Sequence, residues 1–174
     1  EGERAALTSG AVNLSLRYAK MITDKEASNA KPQRNREVEV GVQAFKRRDY
    51  KTALAKLRRP AESGDSHAQV YLGYMFLNGN GVNKDLKKAL SLFQKAALSG
   101  NDEGQGQLGY HYLEGVGVKK DRNQAIKWFR VSAKQGNTVS QYNIGLSYQF
   151  GYGVPQNYKT AMTWYIKAAK KNNI

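Results

Sequence analysis

The residue types best able to do chemistry in this chain are two histidines, a recurring set of aspartates and a series of glycine loops. His67 and His111 are the only histidines, and they sit at different positions of different segments. His67 is expected to face inward and His111 roughly outward, so they make no ligand pair. Neither has a carboxylate at the spacing of a metal site such as two histidines one helical turn apart. There is no cysteine, which removes disulfides, thiolate zinc sites and a cysteine nucleophile. No G-x-S-x-G elbow is present. Glycine loops such as Gly79–Val82 resemble phosphate cradles only superficially: they follow helical patterns rather than strands and lack the lysine and serine of a phosphate loop. Asp49, Asp85 and Asp121 recur at a fixed interval, which suits helix capping better than acid–base catalysis. The reading is of a non-enzyme with no catalytic residue, no metal and no cofactor.

The elements that position these residues are defined by an internal repeat. With residues 66–101, 102–137 and 138–173 aligned, glycines coincide at Gly73, Gly109 and Gly145, and again at Gly79, Gly115 and Gly151. Ala97, Ala133 and Ala169 match, as do Phe93, Phe129 and Tyr165. Each unit reads as helix, loop, helix. Gln69, Leu72, Gly73 and Phe76 fall at i, i+3, i+4 and i+7, one stripe of a helix. Gly73 allows the second helix to come close. The loop glycines supply positive φ, which other residues resist. Asp85, Asp121 and Asn157 are expected to cap second helices, and Asn101 and Asn137 the following first helices. Gly100 and Gly136 are expected to end second helices in the left-handed conformation. The second helix presents Leu86, Ala89, Leu90, Phe93, Ala96 and Ala97. A single unit cannot bury these stripes, so neighbouring units must stack.

A shortened unit over 35–65 leads the array. Gly41 precedes Asp49 by 8 residues where Gly73 precedes Asp85 by 12, so four loop residues are missing and the turn is tighter. Residues 1–34 do not fit the repeat. Leu14 to Ile22 has helical spacing and Ala27 to Arg34, with Pro32, reads as a linker. This segment is expected to cap the first unit or to be mobile. The 174 residues carry a net charge of +14, with 28 Lys and Arg against 14 Asp and Glu, which favours an anionic partner or surface. The charge is spread along the chain: +2 over 1–35, +3 over 36–65, +3 over 66–101, +2 over 102–137 and +4 over 138–174. No stretch approaches 18 consecutive apolar residues, as a membrane-spanning helix requires. The start at Glu1 reads as a processed or engineered one.

The combination of L-G-Y at Leu72–Tyr74 and Leu108–Tyr110, the G-x-G-V loops, the aspartate after each loop and K-A-A at Lys95–Ala97 and Lys167–Ala169 resembles the Sel1-like repeat family. These are tetratricopeptide-like helical repeats, and the resemblance covers about residues 36–173. It implies an all-α fold, a right-handed α-solenoid of antiparallel helix pairs with a concave face. It also implies an adaptor or scaffold role, in a bacterial envelope or periplasm, with the cytoplasm also compatible. Some members serve as immunity proteins against secreted toxins.

First helices line the concave face in such arrays. Their inward side carries His67, Val70, Tyr71, Tyr74 and Asn78, then Glu103, Gln107, Tyr110 and Glu114, then Tyr142, Asn143, Leu146 and Phe150. Tyrosine recurs in interfaces because it combines contact area with a polar handle. The expected partner is therefore a protein or peptide held in this groove, with Tyr71, Tyr74, Tyr110, Tyr142 and Phe150 as anchors. The alternatives are inhibition of a secreted effector enzyme such as a lipase, and attachment to an acidic protein, anionic polymer or lipid surface by charge alone. For the last, Lys51, Lys87 and Lys159 form one partial ladder on second helices, and Arg59, Lys95 and Lys167 another. Nucleic acid ranks behind these, because its binders interleave rings and cations, whereas here they fall on different helices.

Overall fold

Aspartate or asparagine opens almost every helix, because a short side-chain oxygen can accept from backbone N–H groups that have no partner inside the helix. Asp65 Oδ1 accepts from Ala68 N at 2.8 Å, Asp85 Oδ1 from Lys88 N at 2.9 Å and Asn101 Oδ1 from Gly104 N at 2.8 Å. Asp121, Asn137 and Asn157 do the same in the later units. The computed structural model describes residues 35–172, with side chains to residue 170. Among the described residues there are eight helices and no strand: α1 Arg36–Lys46, α2 Tyr50–Glu62, α3 Ser66–Asn78, α4 Leu86–Leu98, α5 Asp102–Glu114, α6 Arg122–Lys134, α7 Thr138–Phe150 and α8 Tyr158–Asn172. The helix expected over 14–22 and the linker over 27–34 lie outside them.

Within each full unit, a glycine on the first helix faces an aromatic ring on the second. A Cβ added to Gly73 would lie 2.7 Å from Phe93 Cε1, and one added to Gly109 the same distance from Phe129 Cδ1. Gly145 stands likewise against Tyr165. The loops close with Gly79, Gly115 and Gly151 in the left-handed conformation. The second loop glycine seats on the preceding unit: a Cβ on Gly81 would meet Tyr50 Cβ at 2.7 Å. Three residues, 47–49, join α1 to α2, where seven, 79–85, join α3 to α4. Arg48 takes φ 63° in that short turn.

Stacking between units is built from the same bonds each time. Gln69 Nε2 donates to the Ala61 carbonyl at 3.1 Å, Gln105 Nε2 to that of Ala97 at 3.3 Å and Gln141 Nε2 to that of Ala133 at 3.3 Å. The capping asparagines also reach back: Asn137 Nδ2 donates to Asp102 Oδ2 at 2.9 Å, and Asn101 Nδ2 lies 3.4 Å from Ser66 Oγ. A continuous apolar cluster runs from Val38 on α1 to Phe93 and Ala96 on α4.

Three expectations are corrected. Val70, placed on the inward exposed side, is completely buried. His111, expected roughly outward, is also completely buried. Its Nδ1–H donates to the Val116 carbonyl at 2.7 Å and its ring packs 5.5 Å from that of Phe93 in the preceding unit. His111 faces an adjacent unit, which helical periodicity within one element does not register. Leu86, expected among the packing residues of α4, is exposed.

Candidate functional site

Charge is segregated by helix. The first helices of the full units, α3, α5 and α7, contain no lysine or arginine, and their only acidic residues are Asp102, Glu103 and Glu114 on α5. The basic residues stand on the second helices and loops. A surface lined by first helices is therefore neutral to acidic.

Ten of the thirteen residues expected on the inward side, all but His67, Val70 and Glu103, divide in two. Tyr71 and Tyr74 are partly buried and belong to an aromatic cluster, with ring centroids 6.1 Å apart and Phe45 5.3 Å from Tyr71. Tyr74 also meets Phe93 edge-on at 5.4 Å. Its hydroxyl donates to Glu103 Oε1 at 2.9 Å and accepts from Gln107 Nε2 at 2.9 Å, so it ties one unit to the next. The more open members are Asn78, Tyr110, Glu114, Tyr142 and Phe150, with Gln107, Asn143 and Leu146 half-buried. Asn78 Nδ2 donates to the Tyr74 carbonyl at 3.1 Å, and Phe150 stacks on Tyr152 at 5.5 Å.

Burial, then the nearby Glu103 carboxylate, raises the Tyr74 pKa well above the ordinary 10.0. The folded protein thus keeps a proton that the unfolded chain releases above about pH 10, and stability should fall as pH rises beyond that point. In Tyr74→Phe, urea midpoints measured from pH 8 to 11 should show a shallower alkaline decline. An identical slope in both proteins would exclude this linkage.

An apolar groove of about 720 Å³ lies at the C-terminal end, between α7 and α8. Val139, Tyr142, Leu146 and Phe150 form its α7 wall, and Tyr165, Ala168 and Ala169 its α8 wall. Val139, more than half exposed, was not among the residues expected from the sequence. It lies one repeat after Glu103, and that spacing is the signal that finds it. The six ladder residues Lys51, Lys87, Lys159, Arg59, Lys95 and Lys167 are all exposed, Lys167 with its ammonium 4.9 Å from the Trp164 ring centroid. Among the described residues the ion pair found is Lys56 with Glu37, at 3.8 Å. No group of three or more His, Asp or Glu able to hold a metal occurs among them, and no helix there is long and apolar enough to cross a membrane.

Stacked helix pairs with a fixed period and repeated unit-to-unit bonds define a helical-repeat array of the tetratricopeptide-like class. The Sel1 repeat model matches residues 66–101, 102–137 and 138–173, and the chain belongs to the Sel1 repeat family. Repeats of this kind generally serve as protein-interaction scaffolds. A Sel1 repeat protein from Oxalobacter formigenes is 36% identical, with a TM-score of 0.64 over 68% of this chain and 90% of that one. The protective antigen c5321 of uropathogenic Escherichia coli strains, which has the same repeat fold, is 36% identical with a TM-score of 0.71. The match covers 89% of this chain but only 33% of the antigen. Cysteine rich protein B of Helicobacter pylori, 24% identical with a TM-score of 0.54 over 70% of this chain and 87% of its own, shares the fold. No curated protein matches the chain.

Proposed function

We propose that this protein is a non-enzymatic scaffold that holds a protein segment along its inner surface, in a bacterial envelope or secretion-related setting. The observation that carries this is the charge segregation: the first helices expose tyrosine, amide and phenylalanine side chains with no lysine or arginine among them. An uncharged or basic segment with apolar side chains fits that lining, and an acidic one does not. Tyr110, nearly half exposed at the centre of the array, is the principal anchor, supported by Gln107, Asn143 and Phe150. The envelope setting draws support from the related protein of uropathogenic strains, which is described as a protective antigen.

A partner captured by the full-length protein and identified by mass spectrometry provides the test. Tyr110→Ala combined with Gln107→Ala should weaken it about tenfold or more, as truncation of a central interface residue does. Lys87→Ala with Lys95→Ala should leave affinity unchanged. The opposite pattern, together with loss of binding between 0.05 and 0.5 M salt, on the order of the screening change expected for surface charge, would assign binding to the outer helices. That second reading rests on the exposed cations of those helices, and it suits an acidic effector enzyme or an anionic polymer or lipid.

A further inference from the structure

Leu54 on α2 is only partly buried, although the unit that follows it is in place. Its counterparts one and two repeats on, Leu90 and Ile126, are 7% and 4% exposed. Arg58 lies one helical turn after Leu54, on the same face. These two residues form one wall of a cleft of about 700 Å³ at the first junction between units. The end of the loop between α3 and α4, with the first turn of α4, forms the other wall. Leu54, Phe76, Val82 and Leu86 supply its apolar lining. The exposure of Leu86, which the apolar stripe of α4 does not explain, thus falls inside a cleft.

Arg58, Lys84, Lys87 and Lys88 line the same cleft, against a single acid, Asp85. Asp85 is already engaged, its Oδ1 accepting from Lys88 N at 2.9 Å. Among the described residues no carboxylate forms an ion pair with any of the four cations. Lys88 Nζ lies 4.3 Å from the centre of the Phe76 ring. The later junctions do not repeat the set. Gln94, Lys120, Asn123 and Gln124 take these positions at the second junction, and Arg130, Gln156, Lys159 and Thr160 at the third. Arg130 is there spent on the Tyr148 hydroxyl, at 3.1 Å. Four like charges around one cleft repel one another, so a partner of opposite sign gains from all of them. A second depression, of about 290 Å³, adjoins the first. It shares Leu54 and Arg58, adds Lys51 and Arg59, and runs along α2 to Glu62. From Lys51 to Glu62 a helix rises about 16 Å, the length of about five residues of extended chain.

We propose that this cleft and its extension along α2 bind an acidic segment of a partner protein, in extended form, with one large apolar side chain flanked by carboxylates. The apolar side chain enters between Leu54 and Leu86, and the carboxylates pair with Arg58, Lys84 and Lys87. The planar fork of arginine takes a carboxylate through two parallel N–H···O bonds. A single small anion would use the cations but leave the apolar lining and the length along α2 unfilled. The site stands on second helices and a loop. It is separate from the inner surface and does not rest on the reading that gives that surface to an uncharged or basic segment.

The probe is a fluorescently labelled synthetic peptide, Glu-Glu-Leu-Glu-Glu, titrated with the full-length chain. It should bind saturably with a Kd of about 100 µM or tighter at about 0.05 M salt, and about tenfold more weakly at about 0.5 M. Arg58→Ala with Lys84→Ala, both at exposed positions, should weaken binding about tenfold with the melting temperature unchanged. Lys95→Ala with Lys134→Ala removes the same charge elsewhere and should leave affinity within about twofold. Serine in place of the leucine of the peptide should cost about tenfold, through the loss of a buried apolar side chain. No saturation by about 1 mM overturns the proposal, and that is also the result if the chain covers this cleft itself. Equal weakening by the two pairs of substitutions overturns it, as does equal binding of the leucine and serine peptides, since charge alone would then act. Sedimentation with phosphatidylglycerol vesicles that is lost in Arg58→Ala, Lys84→Ala, with no peptide binding, would give the cleft to a lipid surface instead. Failure of the inner-surface test with Tyr110 leaves this result untouched, because Tyr110 does not line the cleft.

Discussion

Replacing Phe93 by alanine should destabilise the protein by about 3–5 kcal/mol, the range for deleting a fully buried phenylalanine. Phe93 is 0% exposed and fills the space that Gly73 leaves on α3. Its ring meets Tyr74 within its own unit at 5.4 Å and His111 of the next at 5.5 Å. The cavity therefore opens at a junction and not only inside one helix pair. Backbone bonds limit how far α3 and α4 can close the gap, so the lost contacts are not recovered. Urea titration followed by circular dichroism measures the loss. A change below about 1 kcal/mol would mean that Phe93 is not a keystone, since surface substitutions alone stay within about half of that.

Gly109→Leu should also destabilise the protein, by about 3 kcal/mol, at the upper end of the range for overpacking a filled core. Helix propensity predicts the opposite sign. Leucine is favoured over glycine in a helix interior by nearly 1 kcal/mol, so a stabilised variant would show that propensity governs this position. The geometry opposes that outcome: the first added carbon already lies 2.7 Å from Phe129 Cδ1 and Cε1 and 3.2 Å from the Ala125 carbonyl oxygen. Phe129 is completely buried and cannot swing away. The double variant Gly109→Leu, Phe129→Ala should lose less than the sum of the single losses, because the leucine enters space that the ring has vacated. Strict additivity would show that the two positions are not packed against each other.

Most of the fold was legible in the residue spacing, for a physical reason. A glycine that must admit a ring, a glycine at positive φ and an aspartate that must cap a helix are each demanded by local geometry, so they recur at a fixed interval. The four-residue shortening of the leading turn was legible in the same way, as a changed distance from Gly41 to Asp49. The binding surface was less legible. Tyr71 and Tyr74 look like Tyr110 in a list of inward tyrosines, yet Tyr74 is committed to Glu103 and Gln107 of the following unit. Val139 escaped notice because a valine at a helix start is ordinary until its neighbours are known.

The sequence by itself therefore determined the helices, their caps and loops, the period and the family, because each depends on residues close together in the chain. The tertiary structure alone decided which side of each first helix is covered by the neighbouring unit. It buried His111 and Val70 and engaged Tyr74. Burial at such positions depends on which unit stacks beside them. That is a property of the assembled array, and no single helix records it.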